Sequence, residues 1–165
     1  MVACFIGHRI IESNENLIFL LKREISALLQ KGVSKFLFGS KSEFDNLCLK
    51  ILLEFKKDYP NIKFCYVRSS YQFISEEYKQ YLCRIYDETV FPPELINSGR
   101  SCYVKRNYYM IDNSTYCVFY YNANYIPQVK ETKSIISTKK NSGTKRAYQY
   151  ANKKKKQIIN VYQKL

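Results

Sequence analysis

Residues 35–47 read KFLFGSKSEFDNL, and this stretch decides the fold. The apolar residues Phe36, Leu37 and Phe38 form a strand-like run that stops at Gly39-Ser40. Ser42 then stands where a helix N-cap belongs, with Glu43 and Asp45 in the first turn behind it. A strand, a tight turn and a helix start thus follow one another within a dozen residues. In an open α/β sheet such a junction faces the ligand crevice, because the free N–H groups of the helix start point outward there.

Outward from this junction the pattern repeats. Downstream, Phe44, Leu47, Cys48, Ile51, Leu52 and Phe55 fall at i, i+3, i+4, i+7, i+8 and i+11, one apolar stripe for packing on a sheet, and Asp58-Tyr59-Pro60 ends it. IKFCYV (62–67) is the next strand, followed by a short helix over 75–86 that begins at Ser75. Residues 87–99, with Pro92-Pro93, read as an irregular excursion. A helix over 98–112 presents Val104, Tyr108 and Ile111 on one face, and YCVFYY (116–121) is the fourth strand. Upstream, VACFI (2–6) is a strand closed by Gly7-His8-Arg9. The helix after it is capped by Ser13 or Asn14, carries Leu17, Leu21, Ile25 and Leu28, and ends at Gly32. Residues 122–141 lack periodicity and read as a mobile loop, with a short extended piece at 134–137. Ser142-Gly143-Thr144 opens a last helix bearing the small residues Ala147 and Ala151, and QIINVY (157–162) is the fifth strand. Strands alternating with helices imply an α/β fold of one domain over 1–165, its mostly parallel sheet of about five strands covered by helices on both faces.

Composition narrows the functional classes. At 165 residues and 46% hydrophobic the chain suits one ordinary core. No apolar run nears the roughly 20 residues of a membrane span, and no charged segment precedes an apolar one at the N-terminus, so a soluble cytoplasmic protein without a membrane partner is expected. The six cysteines, Cys4, Cys48, Cys65, Cys83, Cys102 and Cys117, form no C-x-x-C pair and there is one histidine. Buried reduced thiols are the expectation, with neither a metal site nor a cofactor. The formal charge of +13 is uneven: residues 128–165 hold eleven Lys/Arg against one Glu. A basic last third suits an anionic ligand, nucleic acid or a partner, or is simply a solvated lysine surface.

In a parallel sheet the strand C-termini share one edge. Here they bring up Gly7-His8-Arg9, Gly39-Ser40-Lys41, Arg68-Ser69 and Asn122, with the helix start Ser142-Gly143-Thr144 opening on the same side. Two helix N-termini beside two arginines and a lysine suit a phosphate-bearing ligand. There is neither a G-x-G-x-x-G nor a Walker A sequence, and no G-x-S-x-G. Each residue also has a plainer reading: Gly7 and Gly39 as turn residues, Asp45, Ser142 and Thr144 as helix-start groups, His8 as a structural or surface residue.

Several of these segments, taken in order, carry a resemblance. FIGHR (5–9), FGSKSEFDNL (38–47), RNYYMID (106–112), SGTKRAYQYA (142–151) and the closing IINVY are similar to the motifs of YpsA-like members of the SLOG superfamily. That group is related to the DNA-processing protein DprA and to the LOG phosphoribohydrolases. The resemblance spans about residues 2–162 and implies a Rossmann-like three-layer sandwich that binds a nucleotide or nucleotide-derived ligand. Carried over, Gly7, His8 and Arg9 form one wall, Gly39, Ser40 and Asp45 the second, and Arg106 with Asn107 a third. Ser142, Gly143 and Thr144 form the phosphate seat. Such proteins are often associated with signalling, stress or phage conflict in bacteria. Two departures stand out. Ser40 replaces the second of two adjacent glycines, and Lys145, Arg146 and Ala147 follow Gly143-Thr144 where LOG enzymes carry a catalytic glutamate.

The expectation is therefore a basic ligand-binding domain. The first alternative is an enzyme cleaving an N-glycosidic or phosphoester bond, with Asp45 and His8 as candidate catalytic groups. The second is DprA-like nucleic-acid binding through the lysines at 153–156. Tyrosine-rich faces leave room for a homo-oligomer.

Overall fold

The computed structural model describes residues 1–39, 42–125 and 142–162. Among these residues six strands and five α-helices alternate: β1 (Val2–Gly7), α1 (Glu15–Gln30), β2 (Lys35–Phe38), α2 (Glu43–Phe55), β3 (Lys63–Val67), α3 (Glu76–Cys83), β4 (Glu88–Val90), α4 (Cys102–Asp112), β5 (Tyr116–Tyr120), α5 (Gly143–Lys153) and β6 (Gln157–Asn160). The strand order is β4-β3-β2-β1-β5-β6 and every pairing is parallel. The α/β layout is thus the expected one, with a sixth strand. The addition lies inside the segment read as irregular: Glu88–Val90 is too short to show a period, and its pairing with Cys65–Val67 of β3 defines it.

The two faces of the sheet follow from the alternation of side chains along each strand. Ala3 and Phe5 of β1, Phe36 and Phe38 of β2 and Phe64 of β3 point to the face where Leu17, Leu21, Ile25 and Leu28 of α1, Phe44, Cys48, Ile51 and Leu52 of α2 and Leu82 of α3 lie buried. Cys4, Ile6, Leu37, Cys65, Val67, Cys117 and Phe119 point to the other, against Met110 and Ile111 of α4 and Ala147 and Ala151 of α5. Three helices therefore cover one face and two the other.

Local signals hold in detail. Asn14, not Ser13, caps α1, its Oδ1 accepting from the Leu17 N–H at 2.8 Å. Gly32 ends α1 at φ +82°. Ser42, Ser75 and Ser142 cap α2, α3 and α5. α4 differs from its sequence reading in two ways. A 3-10 turn, Gly99–Ser101, precedes it, so the α-helix starts at Cys102 rather than at 98. Its buried face is Arg106, Asn107, Met110 and Ile111, whereas Val104 and Tyr108 are only half-buried. A stripe containing an arginine and an asparagine is invisible to an apolar period. Of the cysteines, Cys4, Cys48, Cys65 and Cys117 are buried free thiols, but Cys83 is exposed and Cys102 half-buried. The loop read over 122–141 lies mostly outside the described residues, as does the extended piece at 134–137.

Candidate functional site

The strand order reverses between β1 and β5. Chain progress from β1 to β4 runs one way across the sheet; β5 and β6 lie on the other side of β1. In an open parallel sheet the ligand crevice lies at such a reversal, outside the C-terminal strand ends. Gly7 ends β1 there with His8 directly after it, and Asn122 follows β5.

His8 is buried, with 1% of its surface exposed. Its Nε2 meets the Asn122 backbone, with the N–H at 3.0 Å and the carbonyl oxygen at 3.3 Å. The Tyr125 ring stacks on it at 3.8 Å between centroids, 16° from parallel. Burial pushes the imidazole down to about 4, so it is neutral at pH 7. Gly7 beside it carries no side chain because α2 begins on top of it: a Cβ there would lie 2.4 Å from Phe44 Cγ and 2.6 Å from Phe44 Cβ. Two hydrogen bonds tie α2 to the segment after β1, the Glu43 N–H to the Arg9 carbonyl at 3.0 Å and the Ile11 N–H to Glu43 Oε2 at 2.9 Å. Arg9 itself is exposed.

The start of α5 meets the same corner. Ser142 Oγ accepts from the Lys145 N–H at 3.1 Å, and the buried Thr144 hydroxyl donates to the Gly7 carbonyl at 2.9 Å. Among the described residues, no atom outside the helix and the chain neighbours of Gly143 lies within 4 Å of where its Cβ would stand. This helix start is therefore anchored through Thr144.

One strand over, Gly39 closes β2 under α4. A Cβ there would lie 2.5 Å from Met110 Sδ and 2.7 Å from Arg106 Nε. The Arg106 guanidinium donates through Nη1 to the Gly39 carbonyl and through Nη2 and Nε to Asn107 Oδ1, at 3.0 and 3.3 Å. It is buried, with the Tyr103 ring 5.6 Å away. Burial lowers its basicity and the Asp45 carboxylate works against that. Asp45 is buried in the first turn of α2, where the Ser42 hydroxyl donates to its Oδ2 and its own N–H donates to Ser42 Oγ at 3.1 Å.

The candidates therefore form two groups on one edge. Gly7, His8, Ser142, Gly143 and Thr144 meet at the β1–β5 reversal; Gly39, Arg106 and Asn107 meet above β2, with Asp45 near Arg106. Ser40 lies outside the described residues. Sequence reasoning missed Tyr125, in a segment without period, and Phe44 and Met110, whose place over the two glycines is a tertiary fact. The lysine run falls elsewhere. Lys153 ends α5 at the opposite edge of the sheet; Lys154 pairs with Asp112 at 3.2 Å, and Lys156 Nζ donates to the Asp112 and Ser114 carbonyls at 2.9 and 2.8 Å. Two of the four lysines thus tie the end of α5 to the turn between α4 and β5. Arg68 likewise holds its own loop, donating to the Tyr71 carbonyl at 2.7 Å.

Fold and crevice define a Rossmann-like α/β domain. The chain belongs to the YpsA family, described as the YspA SLOG family, whose sequence model matches residues 12–162. The match begins after Gly7, His8 and Arg9, so their place in the crevice rests on geometry. No curated protein matches the chain. Among the described residues no helix is long and apolar enough to cross a membrane, and no group of three or more His, Cys, Asp or Glu side chains is placed to hold a metal ion.

Proposed function

We propose that this domain binds a nucleotide or nucleotide-derived phosphorylated ligand at the C-terminal edge of the sheet, as a cytoplasmic ligand-binding protein. The observation that carries the reading is the Thr144–Gly7 hydrogen bond, which fixes the start of α5 at the strand-order reversal. A phosphate at this helix start would meet the positive end of the helix dipole, and no described atom outside the helix and the chain neighbours lies within 4 Å of a Cβ built on Gly143. Membership of the SLOG family supports a nucleotide-related ligand. Arg106 supplies a buried positive charge along the same edge.

Binding without turnover is favoured over catalysis by the state of the two candidate groups. His8 is neutral and inside the protein, and an imidazole pushed to about 4 is a weak base. Asp45 is engaged with the helix start it sits in. Nucleic-acid binding through residues 153–156 is disfavoured by their position at the far edge and by the bonds of Lys154 and Lys156. Thermal-shift and calorimetric titrations against nucleotides, nucleotide sugars, ADP-ribose and cyclic dinucleotides test the reading. Stabilisation by at least one is expected, and its loss in Gly143→Val; a folded protein stabilised by none overturns it.

A further inference from the structure

Among the described helices α3 is the least buried: of its eight residues only Leu82 is covered. A helix of two turns has little stability of its own in water and depends on what it packs against. The other large apolar residues of α3 and the turn that ends it, Tyr78, Tyr81 and Ile85, fall at i, i+3 and i+7 on one stripe, and all are exposed. The Tyr78 and Tyr81 rings stack at 6.1 Å between centroids, 15° from parallel, and present one flat surface. The loop leading into the helix adds Tyr71 and Phe73, 79% and 85% exposed. That loop is braced, since Arg68 donates to the Tyr71 and Gln72 carbonyls at 2.7 and 3.3 Å. Five large apolar side chains in water within residues 71–85 mark a docking surface, not scattered surface apolars.

Charge says what covers it. Residues 71–98 hold five Asp/Glu and two Lys/Arg, in a chain of formal charge +13. Nucleic acid and other polyanions are therefore not drawn to this face. Asp87 and Glu88 are offset by Lys56 and Lys35, and Glu76 by Lys79. Glu77 and Arg84 differ, for neither makes an ion pair with any described residue. They stand seven residues apart, on one side of the helix and about 10 Å from each other along its axis. A second α3 laid antiparallel across a two-fold axis sets Glu77 of each copy against Arg84 of the other, with Tyr81 next to the axis. The face is complementary to itself, as an isologous contact requires. Elsewhere two copies of this chain repel, because the remaining residues carry the whole positive excess.

We propose that α3 and the loop before it form the two-fold interface of a homodimer, with Tyr78, Tyr81 and Ile85 at its centre and reciprocal Glu77–Arg84 pairs at its ends. α3 packs beside β4, at the far side of the sheet from the β1–β5 reversal, so the crevice of each copy stays open. One short helix and a loop per copy make a small interface, and a micromolar Kd is expected.

The test uses the full chain in sedimentation equilibrium from about 1 to 300 µM, a range that brackets such a Kd. Wild type is expected to pass from one chain to two. Glu77→Arg and Arg84→Glu each set like charges together at both ends and are expected to weaken the dimer about tenfold or more. The double variant restores opposite charges and is expected to return Kd to within about threefold of wild type. Both positions are exposed, and the melting temperature of each variant checks that it folds. A second measurement needs no variant: amide exchange within residues 76–84 should slow as the wild-type concentration rises. Exchange there that ignores concentration overturns the proposal. So does an assembly that grows beyond two chains, single reversals without effect, or a double variant as weak as the singles. Wild type that remains one chain at the top of the range assigns the face to a different partner and overturns it as well.

Discussion

Gly7→Ala and Gly39→Ala add the same methyl group at neighbouring strand ends, and the structure separates their costs. At Gly7 the new Cβ stands 2.6 Å from Phe44 Cβ and 2.4 Å from Phe44 Cγ. A Cβ cannot be moved by a rotamer change, so α2 must retreat by about 1 Å to restore ordinary contact. Phe44 is fully buried and its ring packs on Phe5 and Tyr120, at 6.4 and 5.8 Å. Retreat also stretches the Glu43–Arg9 hydrogen bond of 3.0 Å. Overpacking of this kind costs about 3 kcal/mol, the upper end of the usual range. At Gly39 the clash is with Met110 Sδ and Arg106 Nε, atoms far out on flexible side chains, so about 1–2 kcal/mol is expected. Urea unfolding followed by far-UV circular dichroism gives both values. Second substitutions sharpen the contrast. Phe44→Leu keeps Cβ and Cγ and should not rescue Gly7→Ala, whereas Met110→Ala should recover part of the loss in Gly39→Ala. Gly7→Ala within 1 kcal/mol of wild type, or its rescue by Phe44→Leu, refutes the claim that helix placement bares this glycine.

Other outcomes follow from single groups. His8 is held at about 4 against an ordinary 6.5, so between those values the unfolded chain binds a proton that the folded one refuses. Stability from this source is full above about pH 6.5 and declines by up to roughly 3 kcal/mol on acidification to about pH 4, and His8→Gln should flatten that part of a denaturation–pH profile. Burial alone would raise the Asp87 carboxyl, but the Lys56 ammonium at 2.9 Å and the Phe64 N–H at 2.8 Å hold it below its ordinary value. Its contribution is present above the ordinary carboxylate range and lost as pH falls below it. Because the pair is about a third exposed, Asp87→Asn should cost only about 1 kcal/mol in urea unfolding at pH 7. Gly143→Val adds bulk where no described atom outside its own helix and chain neighbours lies within 4 Å, so its melting temperature should stay within a few degrees of wild type while ligand stabilisation disappears. Lys156→Met removes the donor from the Asp112 and Ser114 carbonyls and should destabilise the protein by about 1 kcal/mol, with binding at the crevice unchanged.

The fold was legible where local chemistry and burial agree. The stripe of α2, the serine caps and the apolar strands each announce themselves because one residue type at one period has one use. β4 had no such signal, since three residues next to Pro92-Pro93 become a strand only by lying beside β3. The face of α4 was misread for a related reason: it buries Arg106 and Asn107, and only partners on another segment make that tolerable. The site residues were legible as an edge and not as contacts. Gly7 and Gly39 looked like turn or ligand residues, while the atoms that require them to be bare belong to Phe44, Met110 and Arg106. His8 was visible as the lone imidazole after a strand, but its neutral state comes from burial that no spacing encodes.

The strand order also bears on how the chain comes into being. β1 sits at the centre of the sheet, yet its partner on one side, β5, is more than a hundred residues further along the chain, as the pairing of Cys4 with Cys117 records. During synthesis β1 can pair with β2, and β3 and β4 can add beyond β2, while the other edge of β1 waits for most of the remaining sequence. Until then that edge, with Cys4 and Ile6 on a face not yet covered by α4 and α5, is an open template for pairing with other chains. The candidate crevice shares this delay, because the corner formed by His8, Asn122 and Thr144 exists only once the last third of the chain has docked. Nascent chains stalled before β5 are therefore expected to be both unable to bind and prone to aggregate. A chaperone that shields the waiting edge would matter more here than in a sheet built from neighbours in sequence.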